Sequence, residues 1–381
     1  MKILHCCLSC FYIDDYNYQE NVLPSINKMD GNEVRIIAST ETFIDNSKIG
    51  YVKPGKYFTK DDIELIRVPY KKYLPHFIMK KVRHYDKIYN LIEEFSPDVI
   101  LFHGVAAYEL MTIIKYKKNN PKVKLFLDSH EDFNNSAQNF ISREILHRMF
   151  YSAIVQKALP YVDKILCVAT ESFDFLEIMY RVPRKKMELF PLGGMIFKDS
   201  EWKEKRDKIR ESLHLGENDI LIVHSGKMDI NKRTEDLLKA FIKVKNKRFR
   251  LVLIGSFTED VEQSVMASIS TDTRIQYLGW KKSSVLLEYL CAADLYIQPG
   301  SQSATMQNAI CCRCPVVLYP YKSHFPYIKG NGFYVRTEED IKKVFNTVIK
   351  NPALIEKMRK ASYEVACNIL DYKKIASRLY Q

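Results

Sequence analysis

The sequence predicts an α/β protein built as two parallel-sheet units. Apolar runs of strand length alternate with helix-period segments along nearly the whole chain. The alternation breaks at Gly193-Gly194, a linker by its chemistry, and then resumes. A length of 381 residues suits two ordinary domains, each able to bury a core.

Composition narrows the class. Hydrophobic residues are 46% and charged residues 27%, which excludes a disordered chain. A formal net charge of +12 points to anionic partners such as phosphorylated ligands or acidic lipid. No nucleic-acid module is recognisable, so no nucleic-acid partner is expected. No apolar run approaches a membrane span. Ile3 to Cys10 lacks a clear small-residue cleavage site and reads as a first strand rather than a signal peptide. Nine cysteines include Cys7-x-x-Cys10 and Cys311-Cys312-x-Cys314, but no second pair has zinc-finger spacing. They read as reduced small hydrophobes, with no metal site.

In the first half, Lys2 to Leu8 is a strand feeding a polar, aromatic loop from Asp14 through Tyr16, Asn17 and Tyr18 to Asn21. A helix over Val22 to Met29 and a strand over Glu33 to Ala38 follow. Residues 40–67 lack sustained periodicity and read as loops with one short strand ending at Val68. Residues 70–83 are basic and aromatic together, and helix-like sequence continues to Glu94. The lysines at 71, 72, 80 and 81 and Arg83 interleave with Tyr73, Leu74, Phe77, Ile78 and Met79. That mixture suits an anionic membrane surface, and equally a helix with its lysines solvated. Strands over Pro97 to Phe102 and Val123 to Leu127 bracket a helix over Ala106 to Lys117; they run into His103 and into Asp128-Ser129-His130. Carboxyl ends of parallel strands are where ligands bind, which makes both histidines candidates. A helix over Phe140 to Leu159, a strand over Val162 to Thr170 and a helix over Ser172 to Tyr180 lead to the linker.

The second half opens with a strand, Ile220 to Val223, then a glycine-bearing loop containing Gly226, Lys227 and Lys232. A helix follows, with Leu237, Leu238, Phe241, Ile242 and Val244 on one face and Thr234 as its cap. Free N–H groups at a helix start and two ammonium groups suit a diphosphate. The alternative is an ordinary loop with solvated lysines. Further strands run over Arg250 to Gly255, Arg274 to Trp280, Ala293 to Gln298 and Pro315 to Leu318. Pro299 to Ile310 is rich in small hydroxyl residues that can cap a helix and bind an anion. Helices over Glu338 to Lys350 and Pro352 to Leu370 close the chain.

The segment from Gly226 to Lys232 resembles the Gly-Arg-Leu-x-x-x-Lys motif of glycosyltransferase family 4. His130-Glu131-Asp132 resembles the family's His-Asp, Val162 to Thr170 its Ala-Asp-x-Ile-x-x-Val-Ser strand, and Gly330 to Val335 its Gly-x-x-Gly-Phe-x-Val. Lys186 to Gly194 resembles the hinge segment, and Asp371 to Ala376 the segment that crosses back. Tyr16 to Asn21 resembles the Tyr-x-Tyr-Gln-Glu-Asn loop of bacterial surface-polysaccharide transferases.

The resemblance implies a GT-B fold, two Rossmann-like doubly wound domains facing each other across a cleft. Residues 1–192 would bind acceptor, with 365–381 crossing back, and 193–364 would bind the nucleotide sugar. It implies retaining, metal-independent transfer from a UDP- or GDP-linked sugar, without a cofactor. The acceptor would be a hydroxyl of a bacterial capsular, lipopolysaccharide or other surface glycan, free or lipid-linked. Lys227 and Lys232 would hold the diphosphate and His130 would orient the reacting groups, these three forming the catalytic set. Gly226, Gly255, Trp280, Lys281, Ser301, Gln302, Ser303, Thr305 and Asn308 would complete the donor site. Tyr18, Gln19, Glu20, Asn21 and His103 would meet the acceptor. The chain departs from the family pattern in three ways. Its first loop lacks glycine. Ser301-Gln302-Ser303 replaces the first of two family glutamates. Asn308 replaces the second and can hydrogen-bond a ribose diol without charge. A catalytically silent GT-B protein that binds another transferase is the alternative. The chain has no acidic Asp-x-Asp metal motif, in keeping with metal-independent transfer. The basic, aromatic stretch and a lipid-linked acceptor make the expected place of work the cytoplasmic face of the membrane, reached peripherally through residues 70–85.

Overall fold

The computed structural model describes every residue except 17, 46 and 47. Asn17, part of the expected polar loop, lies outside the described residues. The chain divides into unit 1, Met1–Pro191 with Lys373–Gln381, and unit 2, Leu192–Tyr372.

Unit 1 opens with β1 (Lys2–Cys7), α1 (Gln19–Met29), β2 (Glu33–Ser39), β3 (Glu41–Asp45), β4 (Lys48–Tyr51), β5 (Gly55–Phe58) and β6 (Glu64–Val68). It continues through α2 (His76–Val82), α3 (Ile88–Phe95), β7 (Val99–Phe102), α4 (Leu110–Asn119) and β8 (Lys124–Ser129). It ends with α5 (Ser152–Ala158), β9 (Lys164–Cys167), α6 (Thr170–Tyr180) and β10 (Met187–Leu189). Eight strands form one sheet in the order β10-β9-β8-β7-β1-β2-β6-β5, with only the edge strand β5 antiparallel. β1 is central, Ile3 pairing with Val34 on one side and Val99 on the other. β1 and β7 are buried and apolar, as strands covered on both faces must be.

Unit 2 contains α7 (Asp199–Ser212), β11 (Ile220–Met228), α8 (Thr234–Lys243), β12 (Phe249–Phe257), α9 (Glu259–Ser270), β13 (Ile275–Tyr277) and α10 (Ser283–Ala292). Then come β14 (Leu295–Gln298), α11 (Thr305–Cys311), β15 (Val316–Leu318), β16 (Gly332–Tyr334), α12 (Glu338–Lys350) and α13 (Ala353–Val365). Its six strands are all parallel, in the order β13-β12-β11-β14-β15-β16. The order reverses between β11 and β14, and such a switch point opens a crevice at the strands' carboxyl ends. A short helix, α14 (Tyr372–Ser377), carries the chain into the closing segment of unit 1.

Several elements differ from the sequence expectation. α1 begins at Gln19 rather than Val22, because the Tyr18 carbonyl already accepts from the N–H groups of Asn21 and Val22. Gln19, Glu20 and Asn21 are therefore helical, not loop. Residues 40–67 hold four strands rather than one; they are short, and β5 is exposed throughout, so no apolar alternation marks it. Phe140 to Leu159 starts with π-helical turns over Ile141–Tyr151 before α5. Residues 70–95 break into two helices because Arg83 ends α2 in the left-handed region, with φ of 54°. That break alters the basic, aromatic stretch. Met79 is buried, Arg83 donates to Ser9 Oγ and the Ala106 carbonyl, and Lys80 pairs with Glu41 at 2.9 Å. Tyr73, Leu74 and Phe77 remain exposed.

Unit 2 is tied together by one buried carboxylate. Asp294 Oδ1 accepts from Arg206 at 2.7 Å and Arg359 at 2.9 Å, while Oδ2 accepts from Arg210 at 3.0 Å and the Leu221 N–H at 2.9 Å. Burial opposes its charge, but the three guanidinium groups hold its pKa below the ordinary value. The contacts join α7, α13 and β11 to the start of β14. Breaking a buried ionic cluster from one side costs about 3–5 kcal/mol. Asp294→Asn is expected to lower unfolding stability in urea by that order at pH 7. The contribution is present above the unfolded carboxyl pKa, about 4, and is lost as pH falls through the lower folded value. An unchanged midpoint would remove this carboxylate from its place as the tie.

Candidate functional site

The site in unit 2 is built on two glycines. β11 runs on to Met228, so Gly226 and Lys227 are strand rather than loop. Gly226 pairs in register with Gly255 on β12. A Cβ at Gly255, whose φ is +145°, would overlap the Gly226 backbone, so only glycine permits this approach. On its other side Gly226 leaves room for Lys232, whose Cε lies 3.1 Å from where a Gly226 Cβ would sit.

The loop after β11 is Asp229 to Arg233. Asp229 Oδ1 accepts from the Lys232 N–H at 3.0 Å, shaping a 3₁₀ turn. Arg233 has a left-handed backbone, and α8 starts at Thr234. Thr234 is thus the first helical residue rather than the cap. Its hydroxyl meets His224 Nε2 at 3.0 Å, while His224 Nδ1 meets the Ile297 carbonyl at 2.7 Å. Nδ1 must carry the proton, and burial keeps the ring neutral with a pKa near 4.

The loop after β14 closes on the same turn. The Ser301 N–H donates to the Asn231 carbonyl at 2.7 Å, and a Cβ at Gly300 would overlap that carbonyl. Gln298 Nε2 donates to the Ser301 carbonyl at 2.8 Å. Lys232 is only 4% exposed. Among the described residues its ammonium has one hydrogen-bonding partner, the Ser301 carbonyl at 3.5 Å. Burial lowers its pKa to about 8, against the attraction of Asp229. A buried ammonium so poorly satisfied is a ready partner for an anion. Lys227 is exposed at the end of β11.

The other expected donor residues lie at this carboxyl end or just beyond it. Gln302 donates to Ser323 Oγ at 2.7 Å. Ser303 Oγ accepts from the N–H of Thr305, the first residue of α11, at 3.3 Å. Asn308, on α11, places Oδ1 3.1 Å from where a Gly194 Cβ would sit, and neighbouring Gln307 accepts from the Gly193 N–H at 2.7 Å. Trp280 and Lys281 follow β13; Trp280 is 70% exposed.

Unit 1 carries a different cluster. His103 Nδ1 meets Asp128 Oδ2 at 2.6 Å, and its Nε2 meets His5 Nδ1 at 3.0 Å. His5 Nε2 meets Asn27 Oδ1 at 2.9 Å, and the Gly104 N–H donates to Asp128 Oδ1 at 2.7 Å. Asn27 Oδ1 only accepts, so His5 carries its proton on Nε2 and accepts at Nδ1. His103 must then donate from both nitrogens. Burial alone would lower its pKa, but the Asp128 carboxylate raises it to about 10. Burial and charged His103 push His5 down to about 3. His103 is fully buried with both nitrogens engaged, so it does not face an acceptor as expected. It positions the strand ends instead.

His130, just past β8, lies beside this pair. Its Nε2 is 3.9 Å from Asp128 Oδ1 and 3.9 Å from Glu20 Oε1, and it has no hydrogen-bond partner among the described residues. Among the described residues, buried Gln19 has no partner for either amide atom, and Asn21 donates to the Ile13 carbonyl at 3.0 Å while its Oδ1 has none. Of Tyr18 to Asn21, only Tyr18 is well exposed. Sequence reasoning missed His5, Asn27 and Asp128. The available signal was Asp128 itself, a charge closing an apolar strand. The described cysteines are all free, and no group of three or more His, Cys, Asp or Glu among the described residues is placed to hold a metal ion.

Two parallel-sheet units of this kind, with the basic loop at a switch point, define the GT-B class of glycosyltransferases. Residues 205–365 match the family model described as glycosyl transferases group 1. The chain therefore carries a group 1 glycosyltransferase domain and is by class a glycosyltransferase. Anabaena HepE in complex with UDP is similar in structure, with 16% identity, TM-score 0.68, and coverage of 99% of this chain and 98% of that one. Sucrose-phosphate synthase from Thermosynechococcus elongatus matches at 14% identity and TM-score 0.68, covering 99% and 97%. WaaG, a glycosyltransferase involved in lipopolysaccharide biosynthesis, matches at 14% identity and TM-score 0.64, covering 99% of each chain. No curated protein matches the sequence.

The protonation pattern is directly testable. Ring ¹⁵N shifts should report His103 as imidazolium at pH 8, and His5 and His224 as neutral at pH 5. A neutral His103 at pH 8 would overturn the ion-pair assignment.

Proposed function

We propose that the chain transfers a sugar, with retention, from a UDP- or GDP-linked donor to a hydroxyl of a bacterial surface glycan. The reading needs neither a divalent metal nor a cofactor. The observation that carries it is the buried, under-satisfied ammonium of Lys232 at the switch point of the group 1 domain. As the bond from the anomeric carbon to the diphosphate breaks, negative charge grows on the departing group. Lys232 and Lys227 stabilise that charge, and burial makes Lys232 the stronger of the two. Asn308 takes the ribose diol, and Trp280 and Lys281 approach the base. In unit 1, His130 orients the donor sugar or the reacting hydroxyl, with Tyr18, Gln19, Glu20 and Asn21 on the acceptor side. The likeness to HepE, solved with UDP, supports a nucleotide-sugar partner. The likeness to WaaG supports a cell-surface glycan as product.

The test is transfer from a panel of UDP- and GDP-sugars. Lys227→Ala and Lys232→Ala should each lose about 10²–10³ in rate, or roughly 2.7–4 kcal/mol, the loss typical of removing such a group. Rates should persist in excess chelator. Because Lys232 loses its proton near pH 8 in the free protein, UDP affinity should fall as pH rises past that value. Parental rates in folded lysine variants would overturn the scheme, and so would activity lost to chelator and restored by manganese. Asn308 and Ser301-Gln302-Ser303, standing where the family carries glutamates, favour a second reading as a silent binding partner. UDP binding without transfer or hydrolysis for any donor would select it.

The reading also places the chain peripherally on the cytoplasmic membrane face, where a lipid-linked glycan would be met. Among the described residues no helix is long and apolar enough to cross a membrane. Exposed Tyr73, Leu74 and Phe77 stand among Lys71, Lys72 and Lys81, which supports reversible contact with anionic lipid. At about 1 kcal/mol per cation, three lysines contribute roughly 3 kcal/mol, weakened by salt. Co-sedimentation with phosphatidylserine vesicles should fall with salt and in the Lys71→Gln, Lys72→Gln, Lys81→Gln variant. Equal sedimentation of variant and parent would sink the assignment.

A further inference from the structure

One side-chain cluster in unit 1 has no part in the donor chemistry. It surrounds a cavity of about 250 Å³ lined by Lys81, Arg83, Glu131 and His147. Pockets for drug-sized ligands span roughly 300–1,000 Å³, so this one suits a single sugar ring. Its place is set by the sheet: Ala106 on its wall follows β7, and Glu131 follows β8. Glu131 is the neighbour of His130, but the two side chains diverge. His130 approaches Glu20 and Asp128, whereas Glu131 approaches Tyr180 and His147.

The groups in the cavity are not equally satisfied. Arg83 uses Nη1 on Ser9 Oγ at 3.0 Å and on the Ala106 carbonyl at 2.9 Å. Its Nε and Nη2 have no partner among the described residues, and neither has the ammonium of Lys81. Among the described residues Glu131 receives only the Tyr180 hydroxyl, at 3.4 Å to each oxygen. That hydroxyl is held by His147 Nδ1 at 2.6 Å. His147 stays neutral, since burial lowers its pKa to about 4. Burial raises Glu131 to about 7, against the pull of Arg83, so near neutrality it can accept from a hydroxyl or donate to one. Two fixed cations and one acid leave the cavity with one positive charge when Glu131 is ionised and two when it is protonated.

We propose that this cavity is an acceptor subsite for a sugar that carries one carboxylate, a hexuronate-type residue. The free edge of the Arg83 guanidinium takes the carboxylate as a fork, which a lysine cannot do. Lys81 adds attraction at the mouth, and Glu131 takes ring hydroxyls. A phosphate dianion matches less well, because it brings no ring hydroxyls for Glu131 and its second charge repels that carboxylate whenever it is ionised. The inference rests on the reading that unit 1 binds the glycan acceptor.

Calorimetric titration of the full chain tests it, with methyl glucuronide, methyl glucoside and inorganic phosphate as probes. Methyl glucuronide should bind at least tenfold more tightly than either of the others. Arg83→Lys should weaken that binding at least tenfold, and Lys81→Gln, at an exposed position, two- to fivefold. Equal affinity for glucuronide and glucoside would overturn the proposal, as would tighter binding of phosphate. Glucuronide affinity unchanged in both variants would do the same. UDP is titrated into the same samples, and transfer to neutral acceptors is measured alongside. UDP binding and transfer without glucuronide binding sinks the subsite alone. Absence of transfer to any acceptor sinks the broader reading.

Discussion

Unit 1 depends on a single buried ion pair, His103 with Asp128. Both side chains are fully buried, and either charge alone would be strongly unfavourable in the interior. The pair is tolerated because every polar atom in it is used. Asp128 accepts from His103 on one oxygen and from the Gly104 N–H on the other. His103 donates its second proton to His5, and His5 donates to Asn27. Asn27 in turn reaches the Ala376 carbonyl at 3.5 Å. The chain of contacts joins β1, β7, β8, α1 and the closing segment, and it fixes the strand ends where His130 emerges. It also explains how a histidine at a strand end can be structural while its neighbour at the next strand end is free to act.

Unit 2 uses charge in two ways. Asp294 is saturated by three arginines and a backbone N–H, and so acts as a tie between elements. Lys232 is buried as well, but among the described residues its ammonium has only a long contact to one carbonyl. The difference is not in the amount of burial but in how far the protein itself satisfies the group. A saturated charge stabilises the fold; an unsaturated one is held ready for something the protein does not supply. The same distinction separates Arg83, with one guanidinium edge open, from Arg359, which is fully enclosed in the Asp294 cluster.

The position of Lys232 follows from backbone sterics. Gly226 and Gly255 let β11 and β12 approach without Cβ atoms, and Gly300 lets the loop after β14 rest on the turn that carries the lysine. A larger residue at any of the three would push these elements apart, so the lysine's burial and lowered pKa depend on them.

The chain's own sequence determined the alternation of strand and helix, the two-unit α/β class, and the basic loop at Gly226 to Lys232. Those features are local: an apolar run, a helical period and a glycine between lysines are each visible within a dozen residues. It did not mark the edge strands of residues 40–67, whose exposed side chains carry no alternation, nor the break at Arg83, which depends on contacts from Ser9 and Ala106. Nor did it separate His103 from His130. Both close a buried strand, and only the tertiary structure brings His5 and Asp128 to the first and leaves Nε2 of the second without a hydrogen-bond partner among the described residues. Strand ends are set by local apolarity. The protonation and freedom of a side chain there are set by neighbours up to about a hundred residues away, as with His5 and His103, separated by 98 positions.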